Sequence, residues 1–210
     1  MKQTDFSYLY LFMVSFTLLF TLSPLLYAAP ETENQVSASL AAKKNSYKSS
    51  FQSFRIPDLE LVDMHGKKVI LTSLINGDRP ILLNFIFTTC PSFCPILSAT
   101  FGKVQNEFNS DGLNSPPLLI SISIDPEHDT PERLKKYASK FKSGPNWIFL
   151  TGNHDDILKV QHIFNVYKGE KMNHQPVTFL HRAKDPRWLR LDGFTSAKNL
   201  LFEFHQLLSK

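Results

Sequence analysis

Two apolar runs, at residues 81–87 and 117–124, are the most continuous hydrophobic stretches in the main part of the chain. Runs of this length that are apolar at nearly every position are typical of strands buried on both faces of a sheet. Shorter runs at 59–62 and 68–71 flank a turn at Gly66 and predict a β-hairpin. The hydrophobic pattern therefore predicts a central sheet with a hairpin at its N-terminal side.

Helix signals fill the stretches between these strands. The helix with the clearest start has Thr130 as its N-cap, followed by Pro131 and Glu132. Helices are predicted at 94–108, 130–141, 155–166 and 196–208, with strands at 147–150, 177–181 and 188–191. This alternation predicts an α/β fold, a mixed central sheet flanked by helices, in the order of the thioredoxin fold.

The N-terminal part of the chain has a different pattern. Residues 8–29 are almost wholly apolar, which is enough to span a bilayer as a helix, and Lys2 precedes them. Residues 1–29 are therefore expected to be a cleaved signal peptide or an uncleaved membrane anchor, and both place the rest across the membrane. Residues 30–50 are rich in Ser, Ala, Asn and Lys and predict a flexible tether, so the folded domain is expected at 51–210.

Composition narrows the class of protein. The chain has 210 residues, of which 42% are hydrophobic and 20% charged, as in an ordinary globular protein. The net charge of +4 is a mild excess, and lysine pairs such as Lys43–Lys44 and Lys135–Lys136 stand apart from one another. These values argue against nucleic-acid binding.

The only two cysteines, Cys90 and Cys94, lie between a predicted buried strand and a predicted helix. Pro95 suits the first helical position, so Cys94 is expected at the helix start, where the helix dipole stabilises a thiolate. Such a pair suits three uses: a structural disulfide, which gains little because the loop is short, thiol–disulfide exchange, or binding of Cu(I).

Two thiolates leave a three-coordinate copper site one ligand short, and the chain has seven histidines. His174 stands just before the predicted strand 177–181. A thioredoxin-like sheet brings the loop before that strand beside the cysteine turn. His174 is therefore the predicted third member of the site.

With these residues placed, the chain resembles the Sco/SenC family of thioredoxin-like copper-binding proteins. The matching stretches run in the family's order over residues 55–210: 84–95 with both cysteines, 122–131 with Asp-Pro-Glu-His-Asp-Thr-Pro, 145–152, the histidine segment and 189–194. The resemblance implies copper, as Cu(I) or Cu(II), held by Cys90, Cys94 and His174. It also implies delivery of copper to the binuclear centre of cytochrome c oxidase, or thiol reduction of that centre.

Asp125 and Asp129 match an acidic loop that, in the family, is associated with docking of a partner protein. The same two residues suit turn formation and helix capping, so both interpretations are kept.

Two positions depart from the family pattern. Ser92 stands between the cysteines where an acid is usual, and Asn173 precedes the histidine where an aspartate is usual, which removes a carboxylate partner for the imidazole.

Two functions follow from this sequence. The first is a copper-binding chaperone for cytochrome c oxidase assembly, which is not a turnover enzyme. The second is an extracytoplasmic thiol-disulfide reductase in which Cys90 and Cys94 form a redox-active disulfide. In either case a monomer is expected on the periplasmic side of the inner membrane of a bacterial envelope. A peroxidase is disfavoured, because Phe87 stands three residues before Cys90, where that class has a threonine.

Overall fold

A computed structural model describes residues 47–110 and 116–209. The predicted signal segment or anchor at 1–29 lies outside the described residues, and so does most of the predicted tether. Among the helices in the described ranges, none is both long enough and apolar enough to cross a membrane.

The described strands form one mixed sheet. In chain order they are β1 (Tyr47–Ser53), β2 (Glu60–Asp63), β3 (Lys68–Ile70), β4 (Ile81–Ile86), β5 (Leu118–Ser123), β6 (Trp147–Thr151), β7 (Val177–His181) and β8 (Arg187–Gly193). Their order across the sheet is β1–β8–β7–β4–β5–β6–β2–β3. The pairs β4–β5 and β5–β6 are parallel and the other neighbours are antiparallel, so the mixed α/β sheet predicted from the sequence is confirmed.

The sheet begins earlier in the chain than the sequence predicts. Residues 47–50 were assigned to the tether, but they form the first half of β1, which pairs antiparallel with β8 from Tyr47 to Ser53. Five of the seven β1 side chains are exposed, so the strand lacks an apolar pattern. Its place in the sheet depends on backbone pairing at the edge, and the folded domain includes residues 47–50 as well as the predicted 51–210.

The described helices are α1 (Leu71–Ile75), α2 (Cys94–Ser110), α3 (Pro131–Ser139), α4 (His154–Ile163) and α5 (Ala197–Leu208), with a 3-10 turn at Lys171–Asn173. The predicted cap of α3 is confirmed, since the Thr130 hydroxyl accepts a hydrogen bond from the backbone N–H of Arg133. Helix α4 ends three residues earlier than predicted, because Asn165 takes a left-handed conformation with φ of 53°. The N–H of Val166 then donates to the carbonyl of Gln161, which closes the helix.

The two central strands are buried on both faces, as their apolar runs predict. On one face Phe85 packs against Phe164, which follows α4, and against Phe179 of β7. On the other face Ser121 donates to the side chain of Asn84 and accepts a hydrogen bond from the indole N–H of Trp147. Helices therefore cover both faces, and the carboxyl ends of β4 and β5 are where the chain turns toward solvent.

A buried aspartate joins these two strand ends. Asp129 is fully buried, and its carboxylate accepts hydrogen bonds from the backbone N–H of Thr88 (3.0 Å), the Thr88 hydroxyl (2.5 Å) and the Ser123 hydroxyl (2.6 Å). Thr88 leads into the cysteine turn, and Ser123 is the last residue of β5. The position of the cysteine turn relative to the sheet is therefore fixed by one carboxylate.

Replacing this carboxylate should destabilise the domain. Asp129→Ala leaves the buried hydroxyl of Ser123 and the partly buried N–H and hydroxyl of Thr88 without this acceptor, so the free energy of unfolding should fall by about 1–3 kcal/mol. Urea unfolding followed by tryptophan fluorescence measures the change. Glu127→Ala, in the same loop but with an exposed side chain, is the matched control and should leave the midpoint unchanged. Equal midpoints for the Asp129 variant and the parent would contradict this role.

Candidate metal centre

Cys90 and Cys94 lie in a tight turn between β4 and α2. The N–H of Cys90 donates to the carbonyl of Phe87, and Cys94 is the first residue of α2, as the sequence predicts. Both residues carry free thiols, and they differ in burial: Cys90 is 7% exposed and Cys94 is fully buried. One thiol can therefore be reached from solvent and the other lies beneath it.

The two thiols also differ in acidity. Burial raises the pKa of Cys90, but hydrogen bonds from the Cys94 thiol and from the backbone and hydroxyl of Ser92 outweigh it, so the net pKa is below the ordinary value. Burial and the neighbouring Cys90 sulfur raise the pKa of Cys94 well above its ordinary value. The thiolate therefore forms first on Cys90 and is stabilised there by the Cys94 thiol.

Ser92 has a direct part in this asymmetry. Its hydroxyl oxygen lies 3.7 Å from the Cys90 sulfur, within hydrogen-bonding distance for sulfur. The family that the chain resembles usually has an acid at this position, and a carboxylate there would repel a thiolate. The serine instead donates to it, so the departure from the family pattern favours the charged form of Cys90.

His174 follows the 3-10 turn Lys171–Asn173 and is 3% exposed. Its Nε2 lies 3.3 Å from the carbonyl oxygen of Phe85, while its Nδ1 is buried and has no hydrogen-bond partner. The ring also packs against Phe93, the residue before Cys94, with the centroids 5.6 Å apart. The Phe85 contact favours a proton on Nε2, which leaves the lone pair of Nδ1 available as a ligand.

The imidazole is held in its neutral form. Burial lowers the pKa of His174, and the carbonyls of Phe85 and Val166 offset that effect only in part. A neutral imidazole is the form that binds a metal. The buried, unpartnered Nδ1 and the two thiols are therefore a donor set that suits Cu(I).

The segment that carries His174 is tied to the acidic loop. The Lys171 ammonium lies 2.6 Å from one carboxylate oxygen of Asp125, and Nδ1 of His128 lies 3.1 Å from the other. Asp125 and Asp129 are both buried and accept hydrogen bonds within the domain. Asp129 thus holds the cysteine turn and Asp125 holds the histidine segment, and the predicted docking role of the two aspartates stays a prediction.

The structure brings Cys90 and Cys94 together and places His174 against the same turn through Phe93. Across the described parts of the chain, no three His, Cys, Asp or Glu side chains are already arranged to hold a metal ion. Sequence reasoning missed Lys171, and no local pattern could have revealed it, because its partner Asp125 is 46 residues away. The shared role of His174, Cys90 and Cys94 as ligands stays a prediction.

Comparison with known proteins shows which family this chain is similar to. The model of the SCO1/SenC family matches residues 48–205. The SCO1 protein homolog of Bacillus subtilis (strain 168) is 36% identical over 101 residues, which are 48% of this chain and 50% of that protein. The chain therefore spans about half the length of this curated relative.

Solved structures show the same fold. One is BsSco, a member of the Sco family of cytochrome c oxidase assembly proteins in which a disulfide switch was identified, with 27% identity and a TM-score of 0.61 over 73% of this chain and 92% of that one. Another is Bradyrhizobium japonicum ScoI with copper bound, with 27% identity and a TM-score of 0.58 over 71% and 97%. With its thioredoxin-like sheet and its cysteine turn, this chain belongs to the SCO1/SenC family.

Proposed function

We propose that this protein binds copper through Cys90, Cys94 and His174 and supplies it to the binuclear copper site of cytochrome c oxidase. The observation that carries the proposal is the buried Nδ1 of His174, for which the described residues provide no hydrogen-bond partner, while its ring lies against the cysteine turn. Nδ1 of His181 is also buried and unpartnered among the described residues, but of these two imidazoles only that of His174 packs against the cysteine turn. An unpartnered buried polar atom calls for a reason. A metal ligand role supplies that reason.

The residues of the site fit a soft metal ion. Two thiolates and a neutral imidazole match the ligand preferences of Cu(I). Copper binding would release the proton of the Cys94 thiol, whose pKa is raised by burial and by the Cys90 sulfur beside it. Among the described residues the three side chains are not yet arranged to hold a metal ion, so copper binding would require the cysteine turn or the histidine segment to move.

The relatives support the proposed partner, and the sequence supports the proposed compartment. One solved relative carries copper and another is described as a cytochrome c oxidase assembly protein. The apolar segment at 8–29 supports a location on the periplasmic side of a bacterial inner membrane. The proposed target is therefore the copper-site subunit of the oxidase, met outside the cytoplasm.

A second function, thiol-disulfide reduction of a copper-site protein, is favoured by one observation. The more exposed thiol, Cys90, is also the more acidic, and the buried Cys94 lies directly beside it. In such exchange the Cys90 thiolate attacks a target disulfide and forms a mixed disulfide. Cys94 then attacks the Cys90 sulfur, which releases the reduced target and leaves a Cys90–Cys94 disulfide.

Removal of the proposed third ligand tests the copper function. In full-length protein in neutral detergent, His174→Ala should weaken Cu(I) binding by more than about tenfold, because only two sulfur ligands remain. Anaerobic competition with a chromogenic Cu(I) chelator measures the affinity. His65→Ala, in the exposed hairpin turn, is the control and should bind as the parent does. An alanine variant at 174 that keeps the parent affinity would exclude His174 as a ligand.

Alkylation order tests the asymmetry on which the redox function depends. Iodoacetamide should label the reduced protein first at Cys90, with a rate that rises with pH and is half-maximal below 9.0, the ordinary cysteine value. Cys94 should react only after unfolding, since it is fully buried and its pKa is raised. Fragment mass spectrometry assigns the label, and urea-unfolded protein is the control in which both react. First labelling at Cys94 would contradict the assignment.

A further inference from the structure

A cleft of about 350 Å³ opens beside the cysteine turn, between the end of β4 and helix α3. The cleft adjoins the cysteine turn because two of its lining residues, Thr88 and Thr89, directly precede Cys90 in the chain. The residues that line it are Thr88, Thr89, Arg133, Lys136, Tyr137 and Lys140. Hydroxyl groups thus form one side of the cleft and cations the other.

A local excess of positive charge lies along α3 and the residues that follow it. Residues 131–142 contain five basic residues and one acidic residue, an excess that equals the net charge of +4 of the whole chain. Arg133, Lys136 and Lys140 are three and four positions apart, so they follow one face of α3. In the described ranges none of the three forms an ion pair, whereas Lys68, Lys159, Lys171 and Lys184 each do.

One residue that lines the cleft is hydrogen-bonded to the helix that follows the cysteine turn. The Tyr137 hydroxyl lies 3.0 Å from the hydroxyl of Ser98, which is one helical turn after Cys94 in α2. The Lys140 ammonium lies 5.8 Å from the centre of the Tyr137 ring, which holds this cation over the cleft. A ligand seated on these cations would therefore lie next to Thr89, the residue that precedes the more exposed thiol.

We propose that this cleft binds an acidic segment of the polypeptide that exchanges copper or thiols with Cys90. The inference rests on the proposed function, because that function requires another protein to approach this thiol. Side-chain carboxylates are the natural acceptors for lysine and arginine, and unpaired cations beside a reactive group steer an oppositely charged partner to it. The hydroxyl of Thr89, which is exposed, adds a donor on the opposite side.

The shape and extent of the charge favour a polypeptide over other polyanions. A duplex or single strand of nucleic acid needs a basic stripe that follows many phosphates. A membrane surface is broad and flat, whereas these cations border a small concave site next to a thiol pair. An acidic peptide is the polyanion that fits a cleft of this size and also carries groups that Cys90 can react with.

Binding of fluorescein-labelled hexaglutamate tests the inference. Full-length protein in neutral detergent at low salt should bind this probe, with labelled hexaglutamine as the uncharged comparison, and added salt should weaken the binding. The triple variant R133E/K136E/K140E should bind at least about tenfold more weakly, because three attractive charges become repulsive. The control triple K48E/K67E/K198E makes the same change in net charge at exposed lysines elsewhere and should bind as the parent does.

Several outcomes would overturn the inference. It fails if the cleft variant binds hexaglutamate as the parent does, or if the control triple loses as much. It also fails if the cleft variant loses binding to phosphatidylglycerol vesicles while the parent never binds hexaglutamate, since the cations would then serve a membrane surface.

Cu(I) competition on the same proteins separates this inference from the proposed function. The cleft variant should keep the parent Cu(I) affinity, because none of its three positions is a proposed ligand. If the parent binds hexaglutamate at the cleft but not copper, the copper function fails and the docking site stands. If the parent binds copper but not hexaglutamate, only the docking site fails.

Discussion

The buried carboxylate of Asp129 is the interaction on which the site depends. It links the start of the cysteine turn, at Thr88, to the end of the neighbouring parallel strand, at Ser123. A buried carboxylate is tolerated because the donors of Thr88 and Ser123 are directed at it. The turn that carries both thiols is thereby attached to a sheet whose two central strands are wholly buried.

A second aspartate of the same loop extends this arrangement to the histidine. Asp125 forms an ion pair with Lys171, three residues before His174, and its side chain is nearly buried while that of Lys171 is half-exposed. The loop between β5 and α3 thus contacts both segments that carry candidate ligands. A loop that contacts both segments can bring two thiols and an imidazole to one edge of the sheet without holding them in final metal geometry.

Sequence reasoning recovered the elements whose burial produces a pattern. The strands at 81–87 and 117–124, the cap at Thr130 and the helix start at Cys94 are all local signals, and the structure confirms them. Strand β1 was missed because its mostly exposed side chains carry no apolar period. The Lys171–Asp125 pair and the unpartnered Nδ1 of His174 depend on tertiary contacts between distant segments, which periodicity does not encode.

The serine between the cysteines bears on both proposed functions at once. By donating toward the Cys90 sulfur where the family usually has an acid, Ser92 favours the thiolate. A thiolate is the form that binds Cu(I) and also the form that attacks a disulfide, so Ser92 does not separate the two chemistries. His174 does separate them, because disulfide exchange between Cys90 and Cys94 requires no imidazole with a free lone pair. The neutral histidine buried against the cysteine turn, with no partner for Nδ1 among the described residues, is thus the feature that the proposed copper function uses and that exchange alone would not need.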